Sequence, residues 1–162
     1  MIVYHGGTCE IAHPDVTFSK HNLDFGCGFY LTTHRQQAER WARRKAMRLQ
    51  GKAVLNVYEM SEDWSEFRVL KFGGMSEAWL DYVCDCRRGG IGYKAYDIVL
   101  GAVADDDVFQ SISLYYRGIW TRERTLQELR FSHPNDQIAV ISQRALDICL
   151  SLKRTIALED RA

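Results

Sequence analysis

Two short stretches carry residue types able to do chemistry. The first is YHGGT, Tyr4 to Thr8, which follows an apolar start to the chain. Glycine weakens a strand, because it adds backbone entropy and packs nothing. It is favoured where the chain turns tightly or where something approaches the backbone closely. Gly6 and Gly7 beside His5 therefore either lie against a bound ligand or mark a strand that ends in a turn, with His5 at the surface. The second stretch, DFGCGFYLTTHRQQAERWA, runs from Asp24 to Ala42. Gly26 and Gly28 bracket Cys27 ahead of Phe29 and Tyr30, and Trp41 follows eleven positions after Tyr30. A strand-to-helix step of that length can bring two aromatic rings toward one cleft. Such rings make a slot for a flat heteroaromatic ligand, each stacked pair contributing about 0.5–1.5 kcal/mol beyond area burial. The alternative is that Phe29, Tyr30 and Trp41 belong to the core.

Other titratable groups fit less of a pattern. Asp97 and Asp105 to Asp107 bracket the run YDIVLGAVADDD. They either line an acceptor groove or place a base near it, or the later acids simply suit a helix N-terminus. His13, His21, His34 and His133 show no ligand spacing and read as surface or turn residues. Cys84 and Cys86 form a C-x-C without the further ligands a structural zinc site needs.

The elements that must position these residues alternate between strand and helix. A strand over 2–5 precedes a long loop to about residue 26, and GFYLT reads as a short strand. From Arg35 to about Gln50 the residues are helix formers, with Gly51 placed as a C-cap. Ala38, Trp41, Ala42, Lys45 and Leu49 share the expected buried face. Arg40, Arg43, Arg44 and Arg48 fall outward, as a solvated face or as a surface for nucleic acid. AVLNVYEM (53–60) alternates as a strand. SEAWLDYVCD (76–85) is a helix with a Ser N-cap, and YDIVLGAVA (96–104) is a buried strand by its continuous apolar run. DDDVFQSISLYYRG and TRERTLQELRF read as two further helices. QIAVIS (137–142) is a late strand, followed by a helix or a helix plus strand in QRALDICLSL. Helices do not separate every successive pair of strands, so an α+β class is expected rather than a regular doubly wound fold.

At 162 residues the chain suits one domain over 1–162 with a core that needs no staple. Apolar residues make up 46% and charged residues 26%, ordinary for a globular protein, and the formal net charge is zero. No overall field draws it to nucleic acid or membrane. No apolar run approaches the roughly 20 residues of a membrane helix, and the N-terminus lacks signal-peptide regions. An odd number of cysteines, five, points to reduced thiols and a cytoplasmic setting.

Together, YHGGT, GCGFYLTTHRQQAERWA and the late NDQIAVIS resemble the three signature regions of the ADP-ribosyltransferases. The likeness is to the diphtheria-toxin-like branch that includes the poly(ADP-ribose) polymerases. Within that superfamily the chain most resembles a bacterial group, domain-of-unknown-function family 3990. That group's pattern runs from HGG through DFGxGFYLT…QAxxWA and YDIVxGxVADD to DQI, covering most of residues 3–150. The resemblance implies two small, mostly antiparallel sheets around an NAD cleft with flanking helices, and NAD as co-substrate. It places His5 on the adenosine ribose. Gly6 or Gly7 would hold the nicotinamide carboxamide through its backbone, Thr8, Gly28, Phe29 and Tyr30 would also line the NAD site, and Trp41 would stack on the nicotinamide ring.

The family's late-strand glutamate binds the 2′-hydroxyl and stabilises the oxocarbenium-like state. Here that position falls to Gln137, with Asp136 just before it and Glu128 a further candidate. Glutamine accepts the hydroxyl hydrogen bond but carries no charge. The implied activity is mono-ADP-ribosyl transfer to a protein or nucleic-acid acceptor, by a bacterial toxin or effector with a possible antitoxin partner. The alternatives are NAD glycohydrolysis and an inactive NAD- or ADP-ribose-binding module.

Overall fold

The structure is a computed structural model and describes residues 1–103, 106–129 and 135–159. Strands β1 (Ile2–Gly7), β2 (Phe29–Leu31), β3 (Ala53–Met60), β4 (Val69–Lys71), β5 (Ile98–Gly101), β6 (Gln137–Val140) and β7 (Leu150–Leu158) form two small sheets. One is antiparallel, in the order β1-β3-β7. The other runs β2-β6-β5-β4, with only the β4–β5 pair parallel. Helices α1 (Arg35–Leu49), α2 (Glu77–Arg87), α3 (Asp106–Tyr116), α4 (Arg122–Leu129) and α5 (Gln143–Cys149) pack around them. The α+β class and the mostly antiparallel sheets expected from the sequence are both present.

A reciprocal pair of hydrogen bonds stitches the two sheets together. The Tyr4 N–H donates to the Thr32 carbonyl at 2.8 Å, and the Thr32 N–H donates back at 3.0 Å. From this stitch the period-2 alternation of β1 sends side chains to opposite faces. Val3 joins Tyr58, Met60, Phe29, Leu31, Ile138 and Val140 in a core between the sheets, whereas Tyr4 packs toward α1. Burying each large side chain of that core contributes about 1.5–3 kcal/mol. A second core, built on Phe25, Trp79, Val99 and Ala139, fills the outer face of the β2-β6-β5-β4 sheet under α2, α3 and α4.

Three local expectations need correction. The buried face of α1 is Gln37, Ala38, Ala42 and Ala46, while Leu49 is 57% exposed. Small side chains let the helix backbone lie close to β1, so the bulkier Trp41 and Lys45 swing to its flank. The helix ends at Gln50, which takes the left-handed conformation (φ 51°), and the Gly51 N–H closes onto the Ala46 carbonyl at 2.9 Å. β3 does not alternate: seven of its eight residues are buried, because α1 covers one face and the other sheet covers the second. The Ser76 cap on α2 is as expected, its hydroxyl accepting from the Trp79 N–H. Among the described residues, no helix is long and apolar enough to cross a membrane.

Candidate functional site

A cavity of about 740 Å³ opens along the β2 edge, between that strand and the flank of α1. It falls within the size range of small-ligand sites. His5, Phe29, Tyr30, Trp41 and Gln137 all line it, so strands far apart in sequence and one helix bring these expected residues to a single place. Phe29 points into the inter-sheet core while Tyr30 lies on the outer side, so the cavity wraps around β2.

His5 is held on two sides. Its Nδ1 lies 2.8 Å from the Tyr30 carbonyl, and its ring stacks on Phe29 with centroids 4.5 Å apart. A carbonyl only accepts, so Nδ1 carries the proton and Nε2 keeps a lone pair. Burial lowers the His5 pKa to about 4, with the bond to Tyr30 opposing and Lys45 adding to the drop. The imidazole is therefore neutral at physiological pH.

The unfolded chain binds the His5 proton below about pH 6.5, whereas the folded protein resists it until about pH 4. Stability from this group is complete above the unfolded value and is lost as pH falls through the folded one. The upper bound is about 3 kcal/mol, lowered by water on the cavity side of the ring. His5→Asn retains an N–H donor for Tyr30 and cannot titrate. Its urea-unfolding free energy is expected to fall less steeply than wild type on acidification to about pH 4.5. Equal slopes in the two proteins would assign the loss to other groups.

Gln137 is 3% exposed at the start of β6. Its amide Nε2 donates to Asp24 Oδ2 at 3.2 Å, and the same carboxylate takes both Nε (2.8 Å) and a terminal nitrogen of Arg87. The Asp24 and Arg87 side chains are only 13% and 16% exposed, and both residues line the cavity. One of the two Nε2 hydrogens of Gln137 is thus spent on Asp24, and the amide oxygen is left as an acceptor. Tyr30 is tied down separately: its hydroxyl donates to the Gly26 carbonyl at 2.6 Å and accepts from the Phe25 N–H at 3.0 Å. Burial pushes its phenol well above the ordinary value.

The structure separates other candidates from the cavity. The Asp136 carboxylate accepts from the Thr32 hydroxyl (2.6 Å), the Thr33 N–H (2.9 Å) and the Thr33 hydroxyl (2.6 Å). The Gln37 amide also donates to the Asp136 carbonyl at 2.7 Å. Asp136 thus fastens β6 to the start of α1 and does not line the cavity. Gly7 and Thr8 lie at and just past the end of β1 and do not line it either. The Asp97 carboxylate is occupied by the Arg68 N–H and guanidinium at 2.9 and 3.1 Å. Glu128 lies on α4, away from the lining. Asp105 and His133 lie outside the described residues, and Asp106 and Asp107 begin α3.

The glycines answer to packing. A Cβ on Gly6 would fall on the Ala38 carbonyl oxygen and 2.8 Å from the Ala42 nitrogen, so what approaches this backbone closely is α1. On Gly28 it would come 2.7 Å from the Val140 carbonyl oxygen of β6. Both residues also line the cavity.

The residues that hold the wall carry little signal in the sequence. Asn56, fully buried on β3, accepts from the Ile11 N–H and donates to the Cys9 carbonyl, both at 3.0 Å. The Tyr58 hydroxyl donates to the Ile11 carbonyl at 2.6 Å. A polar Asn within an apolar strand was the available signal, since buried amides demand partners. Asp24 and Arg87 had none, because their meeting depends on tertiary packing.

The fold and cavity define a two-sheet α+β domain with a ligand-sized cleft beside its stitched edge. A family model described as "Protein of unknown function (DUF3990)" matches residues 1–152, and the chain belongs to that family. No curated protein and no solved structure matches the chain.

Proposed function

We propose that the cavity takes NAD and that the protein transfers one ADP-ribose unit from it to a macromolecular acceptor, as an ADP-ribosyltransferase. The observation that carries this reading is a pair of committed side chains. His5 and Gln137 each spend an N–H on a protein oxygen and each keep an acceptor for the cavity. Two acceptors suit a ligand that donates hydroxyls, and NAD carries a ribose at each end. Trp41 supplies a flat face for the nicotinamide, and Arg44 and Lys45 on the α1 flank suit the diphosphate. Two small sheets beside a cleft are in keeping with the transferase fold that the resemblance implies.

In this reading the bond between nicotinamide N1 and ribose C1′ breaks, and nicotinamide leaves with the bonding pair. The oxocarbenium ion left behind takes the acceptor's lone pair, and the acceptor gives up a proton. The Gln137 oxygen accepts the 2′-hydroxyl beside the developing cation. Asp24 acts as a positioning residue, holding the Gln137 amide in that orientation. A small domain with this activity suits a bacterial toxin or effector restrained by an antitoxin. The missing carboxylate at position 137 also favours a second reading, in which the cleft binds NAD and releases nicotinamide only slowly, to water.

NAD labelled on the adenylate phosphate separates these readings when lysate and total nucleic acid are supplied as acceptors and free nicotinamide is followed. Transfer predicts label in a macromolecule. Trp41→Ala should weaken NAD about three- to tenfold and remove the label. Nicotinamide release without labelled product would favour hydrolysis. Unchanged NAD affinity in both Trp41→Ala and His5→Ala would overturn the assignment of the cleft.

A further inference from the structure

The mouth of the cavity is built unlike its floor. Phe18 lines it with 87% of its surface exposed, at the end of the 3-10 turn Val16–Phe18. That turn is firmly held. Asp15 caps it through the Thr17 N–H and hydroxyl at 2.8 and 2.7 Å, and the Val16 N–H donates to Gln143 at 3.1 Å. A fastened turn that leaves a phenyl ring in water is a platform. Around it the cavity wall carries Lys20, Lys45 and Arg48, beside Arg44 and Arg87, which have partners of their own. The acids in the same wall are Asp15, engaged by Thr17, and Asp24, engaged by Arg87. In a chain of zero formal net charge this is a local concentration of cations. The diphosphate of NAD would use Lys45 and leave Lys20 and Arg48 for something else.

We infer that this mouth binds a single-stranded nucleic acid, and that the acceptor of the proposed transfer is one of its bases. The inference rests on the transferase reading. An exposed aromatic ring beside cations suits single strands, because an unstacked base has a free π-face and the phosphates follow the charges. A duplex keeps its bases stacked and has no face to offer Phe18, and a base must leave its stack before it can enter a cavity. An acidic protein would engage the cations but leave the phenyl ring unused. The arginines of α1, divided in the sequence between a solvated face and a nucleic-acid surface, thus fall on two sides: Arg44 and Arg48 line the cavity, while Arg40 and Arg43 do not.

Fluorescence anisotropy tests this with labelled RNA and DNA strands of about 12 nucleotides, the matching duplexes, and polyglutamate as a plain polyanion. Single strands are expected to bind more tightly than duplex or polyglutamate, and affinity should fall with salt as phosphate contacts require. Phe18→Ala should weaken single strands about tenfold while the melting temperature stays at the wild-type value. Lys20→Glu with Arg48→Glu should weaken binding and flatten the salt dependence. Equal binding of polyglutamate, equal binding of duplex, or indifference to Phe18→Ala would each overturn the inference. Nicotinamide release, measured in parallel, distinguishes the two readings. Release without strand binding sinks the acceptor and spares the transferase, whereas Phe18-dependent strand binding without NAD binding sinks the transferase and leaves the surface.

Discussion

Gln137→Glu releases nicotinamide about a hundred- to a thousandfold faster than wild type. The size comes from restoring a charge beside the developing oxocarbenium ion, an effect of about 2.7–4 kcal/mol. The Asp24 Oδ2 lies 3.2 Å from the Gln137 nitrogen, so the new carboxylate faces a second one at close range, with the Arg87 guanidinium already bound to that second one. A Gln137→Glu protein that binds NAD normally and is no faster at any pH would remove residue 137 from the reacting ribose.

Gly6→Ala loses about 3 kcal/mol of stability, the upper end of overpacking costs, and melts on the order of 10 °C lower. The new methyl meets backbone, the Ala38 carbonyl and the Ala42 nitrogen, and backbone cannot rotate aside as a side chain does. Gly7→Ala is the matched control. Its nearest neighbours would lie at 3.6 Å, an ordinary contact, and the change should stay within about 1 kcal/mol. Thermal melts of the two variants side by side decide the matter. If both melt like wild type, α1 does not rest on β1 as described.

Local patterns were legible where local forces decide. The bounds of β3 and the Ser76 cap of α2 could be read because an apolar run and a hydroxyl three residues before an amide act over a few positions. The aromatic part of the cavity was legible too: Phe29, Tyr30 and Trp41 sit on one short strand and the helix after it. What escaped was the pairing of distant segments. β4 is three residues long and exists because β5 lies beside it in parallel. Asp24 meets Arg87 across 63 positions and Gln137 across 113, and no local period announces either. Gly6 showed that something comes close without showing what. The reading of α1 erred because its contact with the sheet is made by alanines, which carry too little hydrophobic contrast to outweigh Trp41 and Leu49 in a helical pattern.

The strand order β2-β6-β5-β4 bears on when the site can exist during synthesis. β2 leaves the ribosome well before β6, its partner within that sheet among the described residues, which begins at Gln137. Until that segment emerges, the Asp24 to Trp41 half of the cavity has no floor, and Thr32 and Thr33 have no Asp136 to hold them. A nascent chain therefore carries most of the cleft's residues without the cleft, and any activity the protein has waits until the segment from Gln137 has been translated.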